Sequence, residues 1–289
     1  MPAPSHFATP CARTALAAGL RTVVLGLLLA TATPAMAAPP ARTAPPPDPT
    51  EDPVMLTAGF LSAHPDLRYR LLGLEKFKQH KYEDALKFFQ RAGFYADKPS
   101  QGMVAEMLWD GRGAPQDRAL AYAWMDLAAE RGYTGFLGLR ERYWNALSET
   151  ERQRALEEGQ SLYAKYGDAA ATPRIDTILR RERKRMTGSR TGFTGNLKIY
   201  VPGPGGYQSI DGSKFYDERY WDPAQYRQWH DAIWARPRVG RVDVGEIEHV
   251  GGKPLESRVP VVTPRIDAEE PDAPEVPEGT VIGTEPPDP

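Results

Sequence analysis

Glycines ahead of a helical segment can present backbone amides to a phosphate, and the chain has such glycines within residues 111–117, GRGAPQD. This stretch lacks the lysine followed by serine or threonine of a P-loop, and Asp117 would repel an anion at the helix start. Gly111 and Gly113 instead permit a positive φ where a helix ends. Pro115 stops the preceding helix, and Asp117 can cap the following one. The pattern therefore predicts a turn between two helices rather than a phosphate site.

Histidine chemistry is not indicated by the spacing of the histidines. Those beyond residue 37 are His64, His80, His230 and His249, and none of them belongs to an HExxH motif. His230 precedes Asp231 on a predicted helix, but adjacent helical residues do not face one another, which favours a surface or interface histidine. Nucleophile motifs of the GxSxG and SxxK types are absent from the sequence. We therefore expect no catalytic residue, no metal site and no cofactor, and we expect a protein that is not an enzyme.

The first 37 residues have the layout of a secretory signal peptide. An arginine-bearing start precedes an apolar run at residues 22–32, which is too short to span a membrane. Small residues before Ala38 predict cleavage between Ala37 and Ala38. The single cysteine, Cys11, would be removed, so the mature chain would have no thiol and no disulfide. The sequence thus predicts an exported protein, in the periplasm or secreted, with no stable membrane span after cleavage.

Composition divides the rest of the chain into five segments. They are a Pro-rich linker at 38–59, a helical repeat domain at 60–168, a basic helix or linker at 169–194, an aromatic-rich module at 195–251 and an acidic, Pro-rich disordered tail at 252–289. The formal net charge of −2 shows no global bias toward nucleic acid, which we exclude as a partner.

Self-comparison at an offset of 36 residues reveals a repeat. It aligns Ala85 with Ala121, Phe88 with Trp124, and Ala92 with Ala128. In each copy these positions have i, i+3, i+7 spacing and therefore share one helix face. Residues 134–167 read as a further helical pair. The predicted fold is mainly α, a short solenoid of about three helical hairpins followed by a small aromatic-rich module that is α+β or irregular.

One of these copies resembles the Sel-one-like repeat, a relative of the tetratricopeptide repeat. The matching residues are Gly111, Gly113, Ala114, Asp117, Ala121, Trp124, Ala128, Ala129 and Gly132. The resemblance covers about residues 66–168 and is strong over 100–139. It implies hairpins stacked into a right-handed superhelix, with the matched residues architectural.

The same resemblance implies a scaffold or adaptor that binds a protein partner without catalysis. Partner-facing candidates are positions on first helices that the motif leaves free, namely Trp109, Arg140 and Tyr143. An unrecognised envelope hydrolase is an alternative, and it would require carboxylates that the fold brings together from separate regions.

The aromatic module offers another alternative. Asp222 is a predicted N-cap of a helix that has Trp229 on its apolar face, and strands are predicted at 196–201 and 239–248. Aromatic rings at this density also suit a peptidoglycan or polysaccharide binding module centred on residues 195–236. The basic run at 180–185 extends a helix that covers the end of the repeats, or binds an anionic partner.

The cleavage site can be tested by the intact mass of the protein after export. We expect the mass of a chain that begins at Ala38, because the small residues preceding it fit the peptidase. A mature protein that retains Met1 would contradict the predicted signal peptide.

Overall fold

The computed structural model describes residues 48–52, 55–56, 59–187, 198–203, 206–235 and 257–275. All of them belong to the unit Ala44–Pro289. The predicted signal peptide, its cleavage site at Ala37 and Ala38, and the predicted strand at 239–248 lie outside the described residues.

Six helices follow one another between residues 65 and 166. They are α1 (Pro65–Lys78), α2 (Tyr82–Phe94), α3 (Lys98–Asp110), α4 (Arg118–Ala128), α5 (Thr134–Ala146) and α6 (Glu149–Tyr166). Helices α1 to α4 pack in sequence order, each against the next. Helix α4 also contacts α5, and α6 packs chiefly against α4. The described chain is mainly helical, as predicted, and α4 is its central element because it is buried on nearly every side.

The glycine turn has the backbone geometry that its sequence predicts. Gly111 and Gly113 have φ of 71° and 81°, and Asp117 accepts a hydrogen bond from the backbone amide of Leu120 at 2.9 Å. A Cβ at Gly113 would clash with the carbonyl oxygen of Tyr82 at the start of α2. Glycine is therefore required here both for its φ and for the close approach of the turn to the preceding helical pair.

The other motif residues are packed inside the helices. Ala121, Ala128 and Ala129 are fully buried, and Trp124 lies against the ring of Tyr166 with 4.6 Å between ring centroids. Gly132 ends the segment with a φ of 73°. These side chains pack one helical pair against the next, which is the architectural role that the repeat motif implies.

A buried lysine ties α3 to the ends of its neighbours. The Nζ atom of Lys98 lies 2.6 Å from Glu130 and 3.2 Å from Asp168, and it donates to the carbonyl oxygen of Leu127 at 3.1 Å. Burial raises the pKa of Asp168, but Lys98 and Arg131 outweigh it and hold the pKa well below its usual value. This network therefore fixes where the next helix begins.

That next helix, α7 (Asp168–Thr187), includes the basic run at 180–185, so the run is helical rather than a linker. Arg180 pairs with Asp176, and Arg181 and Arg185 both contact Glu182. Much of the charge of this run is consequently balanced along the same helix.

A two-stranded antiparallel sheet follows, as the α+β interpretation of the module requires. The elements of the module are β1 (Lys198–Gly203), β2 (Gly206–Asp211), α8 (Gly212–Phe215), α9 (Glu218–Trp221) and α10 (Pro223–Trp234). Asp211, Asp217 and Asp222 cap the three helices in turn, each accepting from a backbone amide of the first turn. Asp222 is the predicted cap, and α10 is the predicted helix.

The aromatic module packs against the N-terminal segment as well as against α1 and α7. Phe60 meets Trp221 edge to face with 6.0 Å between centroids, and Met55 is 1% exposed in the same core. The end of the predicted linker, 38–59, is thus packed where the structure describes it. The proline content of this segment predicts a linker, but its apolar residues Met55 and Leu56 pack in this core.

Part of the predicted disordered tail, 252–289, is also packed. Residues 257–275 form an extended segment that lies against the helices. Arg174 donates to the carbonyl oxygen of Ile266 at 3.0 Å, and Val259 fits where Gly159 lacks a side chain. The acid- and proline-rich composition predicts disorder, yet Val259 is buried and Arg258 pairs with Glu141.

No helix among the described ranges is both long enough and apolar enough to cross a bilayer.

The glycine turn is tested by substituting alanine for Gly113. We expect Gly113→Ala to lower the free energy of unfolding by at least about 2 kcal/mol, because the φ of 81° is unfavourable for alanine and its Cβ meets the backbone of Tyr82. Urea denaturation measures the effect. Gly135→Ala is the matched control, since a Cβ there has nothing within 4 Å, and equal destabilisation by the two variants would contradict the interpretation.

Candidate binding groove

The predicted partner-facing residues lie mostly inside the molecule. Arg140 is 2% exposed, with its guanidinium 3.5 Å from Asp126 and 2.9 Å from Glu141. Tyr143 is 8% exposed and stacks on Trp109 with 3.9 Å between ring centroids. Arg140 and Tyr143 are therefore buried in this structure, which leaves them little surface to present to a partner. Helical periodicity places them on a first helix but does not reveal the buried carboxylate and ring that they meet.

A groove of about 340 Å³ runs between the first helices of the pairs and helix α10. Its walls are largely apolar and aromatic. Helix α1 contributes Leu71 and Leu74, α3 contributes Met103, α5 contributes Phe136, and α10 contributes Trp229 and Trp234. The groove is thus lined by helices from both the 65–146 region and the aromatic module.

A second hollow, of about 770 Å³, lies beside the glycine turn. It is broad and open, and charged residues of both signs, including Lys81, Glu83 and Asp84, line it. The groove is the better candidate because binding sites are usually enclosed and mostly apolar.

Helix α10 is held in the groove by polar and ring contacts. The hydroxyl of Tyr133 donates to Asp231, and the rings of Phe136 and Trp234 stack with 6.2 Å between centroids. At the other end of the helix, Arg227 lies 2.6 Å from Asp176 on α7. The aromatic module therefore docks on helices α5 and α7, which its sequence does not predict.

A buried polar cluster lies behind α10. Tyr226 donates from its hydroxyl to Oδ2 of Asp66 at 2.7 Å, and Nε2 of His230 lies 3.6 Å from the same oxygen. Asp66 Oδ1 and His230 Nε2 have no hydrogen-bond partner among the described residues. The adjoining cavity measures about 10 Å³, which is no larger than a water molecule needs. This cluster is consequently a joint between two parts of the chain and not a ligand site.

Electrostatics in the cluster follow from burial and from Asp66. Burial raises the pKa of Asp66, but His230, His64 and Tyr226 outweigh it, so the pKa lies below its usual value. Burial and the neighbouring carboxylate raise the pKa of Tyr226 well above 10. The tyrosine remains a neutral donor and the aspartate an ionised acceptor.

His64 completes the joint between the N-terminal segment and the module. Its two ring nitrogens each lie 2.8 Å from a backbone carbonyl oxygen, one of Phe60 and one of Tyr220. Burial lowers the pKa of His64 below 6.5, against the opposing effects of Asp66 and the two carbonyl groups.

The charged side chains of the groove are few. Asp48, Glu106 and Arg70 line it, and His230 contributes an imidazole ring. Arg70 lies 3.0 Å from the buried Asp97 and is neutralised by it. No group of three metal-type ligands occurs among the described residues. The groove therefore offers apolar surface, rings and carboxylates.

Comparison of the chain with protein-family models, with curated proteins and with solved structures gave no match. The resemblance to Sel-one-like repeats consequently rests on the motif residues themselves, and function has to be argued from the groove.

Sequence reasoning missed the cluster because its members are far apart in the chain. His230 was predicted as a surface or interface histidine, and it is buried against α1. Asp66 and His64 carry no motif. The one available signal was the i, i+4 spacing of Tyr226 and His230, which places both on the same face of a predicted helix.

We predict that lowering the pH destabilises the fold, because burial disfavours the protonated form of His64. Its folded-state pKa lies below 6.5, so the unfolded chain gains a proton that the folded chain does not as pH falls through 6.5. This contribution to stability is present above pH 6.5 and is lost on acidification, by at most about 1.4 kcal/mol per pH unit. The slope of Tm between about pH 7.5 and about pH 5.5 measures it, and His64→Asn should flatten that slope.

His80→Asn provides the matched control. His80 is exposed, and its φ of 59° suits asparagine, so the slope should not change. A Tm that rises as the wild-type protein is acidified would mean that His64 is protonated in the fold, contrary to this prediction.

Proposed function

We propose that this protein is an exported, non-catalytic scaffold that binds a protein partner through the groove. The observation that carries the proposal is the groove itself, which is enclosed, largely apolar and lined by the first helices α1, α3 and α5. Those helices are the ones that a Sel-one-like solenoid presents to its partners. A groove of about 340 Å³ accepts side chains of a peptide segment rather than a folded domain.

The solenoid interpretation is part of the same proposal. It is supported by the repeat spacing of the helical pairs, by the turn at Gly111 and Gly113, and by the buried Trp124. Helix α10 then serves as a built-in wall that narrows the concave surface. This wall adds the rings of Trp229 and Trp234 to that of Phe136.

Polysaccharide binding is a second candidate, and a specific observation favours it. Most rings of the aromatic module are buried, but Tyr200 and Tyr207 are 64% and 79% exposed. Tyr207 pairs with Pro202, two residues along β1 from Tyr200, so both tyrosines share one face of the hairpin. Exposed tyrosines on one face present flat surfaces with a polar edge, which suits a sugar ring.

The hydrolase alternative has less support. Asp48 and Glu106 both line the groove, but Asp48 accepts two hydrogen bonds from Thr50 as a helix cap. His230 faces Asp66 in the closed cluster.

Affinity capture from envelope extracts tests the proposal. The mature chain should retain a stoichiometric protein, and Leu74→Glu should abolish retention by placing a charge on the apolar wall of the groove. Tyr207→Ala, far from that wall in sequence and exposed, should not. Failure to recover a protein, with binding to isolated peptidoglycan that is lost in Tyr207→Ala, would overturn the scaffold proposal and support the second candidate.

A further inference from the structure

We propose that the groove recognises a basic segment of its protein partner, with one lysine or arginine side chain entering beside Glu106 and Asp48. The inference rests on the proposed function, because it names the chemistry of the partner that the scaffold would hold. Its support comes from the charges, the rings and the apolar wall of the groove.

Two carboxylates of the groove have no direct ion pair in the described part of the chain. The guanidinium that lines the groove, Arg70, is neutralised by Asp97, whose carboxylate is completely buried. Glu106 and Asp48 form no ion pair with any base in the described part of the chain. An incoming cation would therefore find two carboxylates that no base of the described chain contacts directly, in a partly enclosed site where attraction is stronger than in water.

The surroundings of Glu106 agree with this inference. Arg112 and Arg142 lower the pKa of Glu106, but burial and the nearby Asp110 outweigh them and raise it. Burial and Asp110 both disfavour its ionised form, and a cation placed beside the carboxylate would offset both effects. The site is consequently better suited to a positive group than to a neutral or negative one.

The rings of the groove suit the same group. The guanidinium of Arg70 already lies 5.9 Å from the centroid of Trp234, which demonstrates that this ring accepts a cation over its face. Phe136 and Trp229 line the groove beside it. A lysine or arginine has a long apolar stem that can lie against such rings while its charged end reaches a carboxylate.

The apolar wall indicates that the cation belongs to a polypeptide. Leu71, Leu74 and Met103 line the groove alongside the carboxylates, and Leu74 remains 37% exposed. These side chains would cover apolar residues that flank the cation in a peptide. A small free polyamine would leave this wall uncovered.

Calorimetric titration with defined peptides tests the inference on the mature protein. The probes are Ac-Ala-Leu-Lys-Leu-Ala-NH₂ and the same peptide with glutamine or glutamate in place of lysine. We expect the lysine peptide to bind at least about tenfold more tightly than either of the others, because only lysine places a positive charge beside the carboxylates. A tenfold difference in affinity corresponds to about 1.4 kcal/mol. Higher salt should reduce this preference by screening the carboxylates.

Variants assign the preference to the groove. Glu106→Gln and Asp48→Asn should each weaken the lysine peptide several-fold, and asparagine preserves the helix cap at residue 48. Glu149→Gln is the control, since this exposed carboxylate pairs with Arg152 on α6, away from the groove. Circular dichroism confirms that each variant is folded.

The outcomes separate this inference from the proposed function. Equal binding of the lysine and glutamate peptides, no binding of any peptide, or wild-type affinity in both groove variants would overturn the basic-segment inference. If capture of a protein still depended on Leu74 in any of those cases, the scaffold proposal would stand without it. If capture of a protein did not depend on Leu74, both the basic-segment inference and the scaffold proposal would be overturned.

Discussion

One buried carboxylate, Asp66, sets the position of the whole C-terminal module. It lies in the first turn of α1 and meets Tyr226 and His230 from α10, which follow it by 160 and 164 residues. Burying a charge is costly unless it is paired, so the arrangement persists only while both partners are in place. Because α10 forms a wall of the groove, the groove exists only where this joint is made.

Some features of the structure follow from local sequence, and others depend on contacts between residues that are far apart in the chain. The turn at Gly113, the caps at Asp117 and Asp222 and the helices that they begin follow from residues close together in the chain, and those features were predictable. The buried Arg140 and the packed segment at 257–275 were not, because their partners are distant in sequence. The groove combines the two cases, since its helices, including α10, were predictable, but the packing of α10 against the other helices was not.

The protein also binds its own chain on two sides of the helical pairs. Helix α10 lies along the first helices, while the extended segment contacts α4 through Ser257 and Asp126 and contacts α5 through Arg258 and Glu141. Much of the surface of the helical pairs is already used internally, which leaves the groove as a restricted opening and accounts for the small size of the site.

Gly159 leaves a gap on the surface of α6 that is filled by a residue made late in synthesis. Val259 fills the space that the missing side chain leaves, and it is made a hundred residues later than the glycine that receives it. The surface of α6 around Gly159 is therefore uncovered until the segment that contains Val259 has been made. The helices reach their final packing only after the chain has doubled back over them, so any folding intermediate in which residues 257–275 are not yet docked exposes the surface of α6 around Gly159.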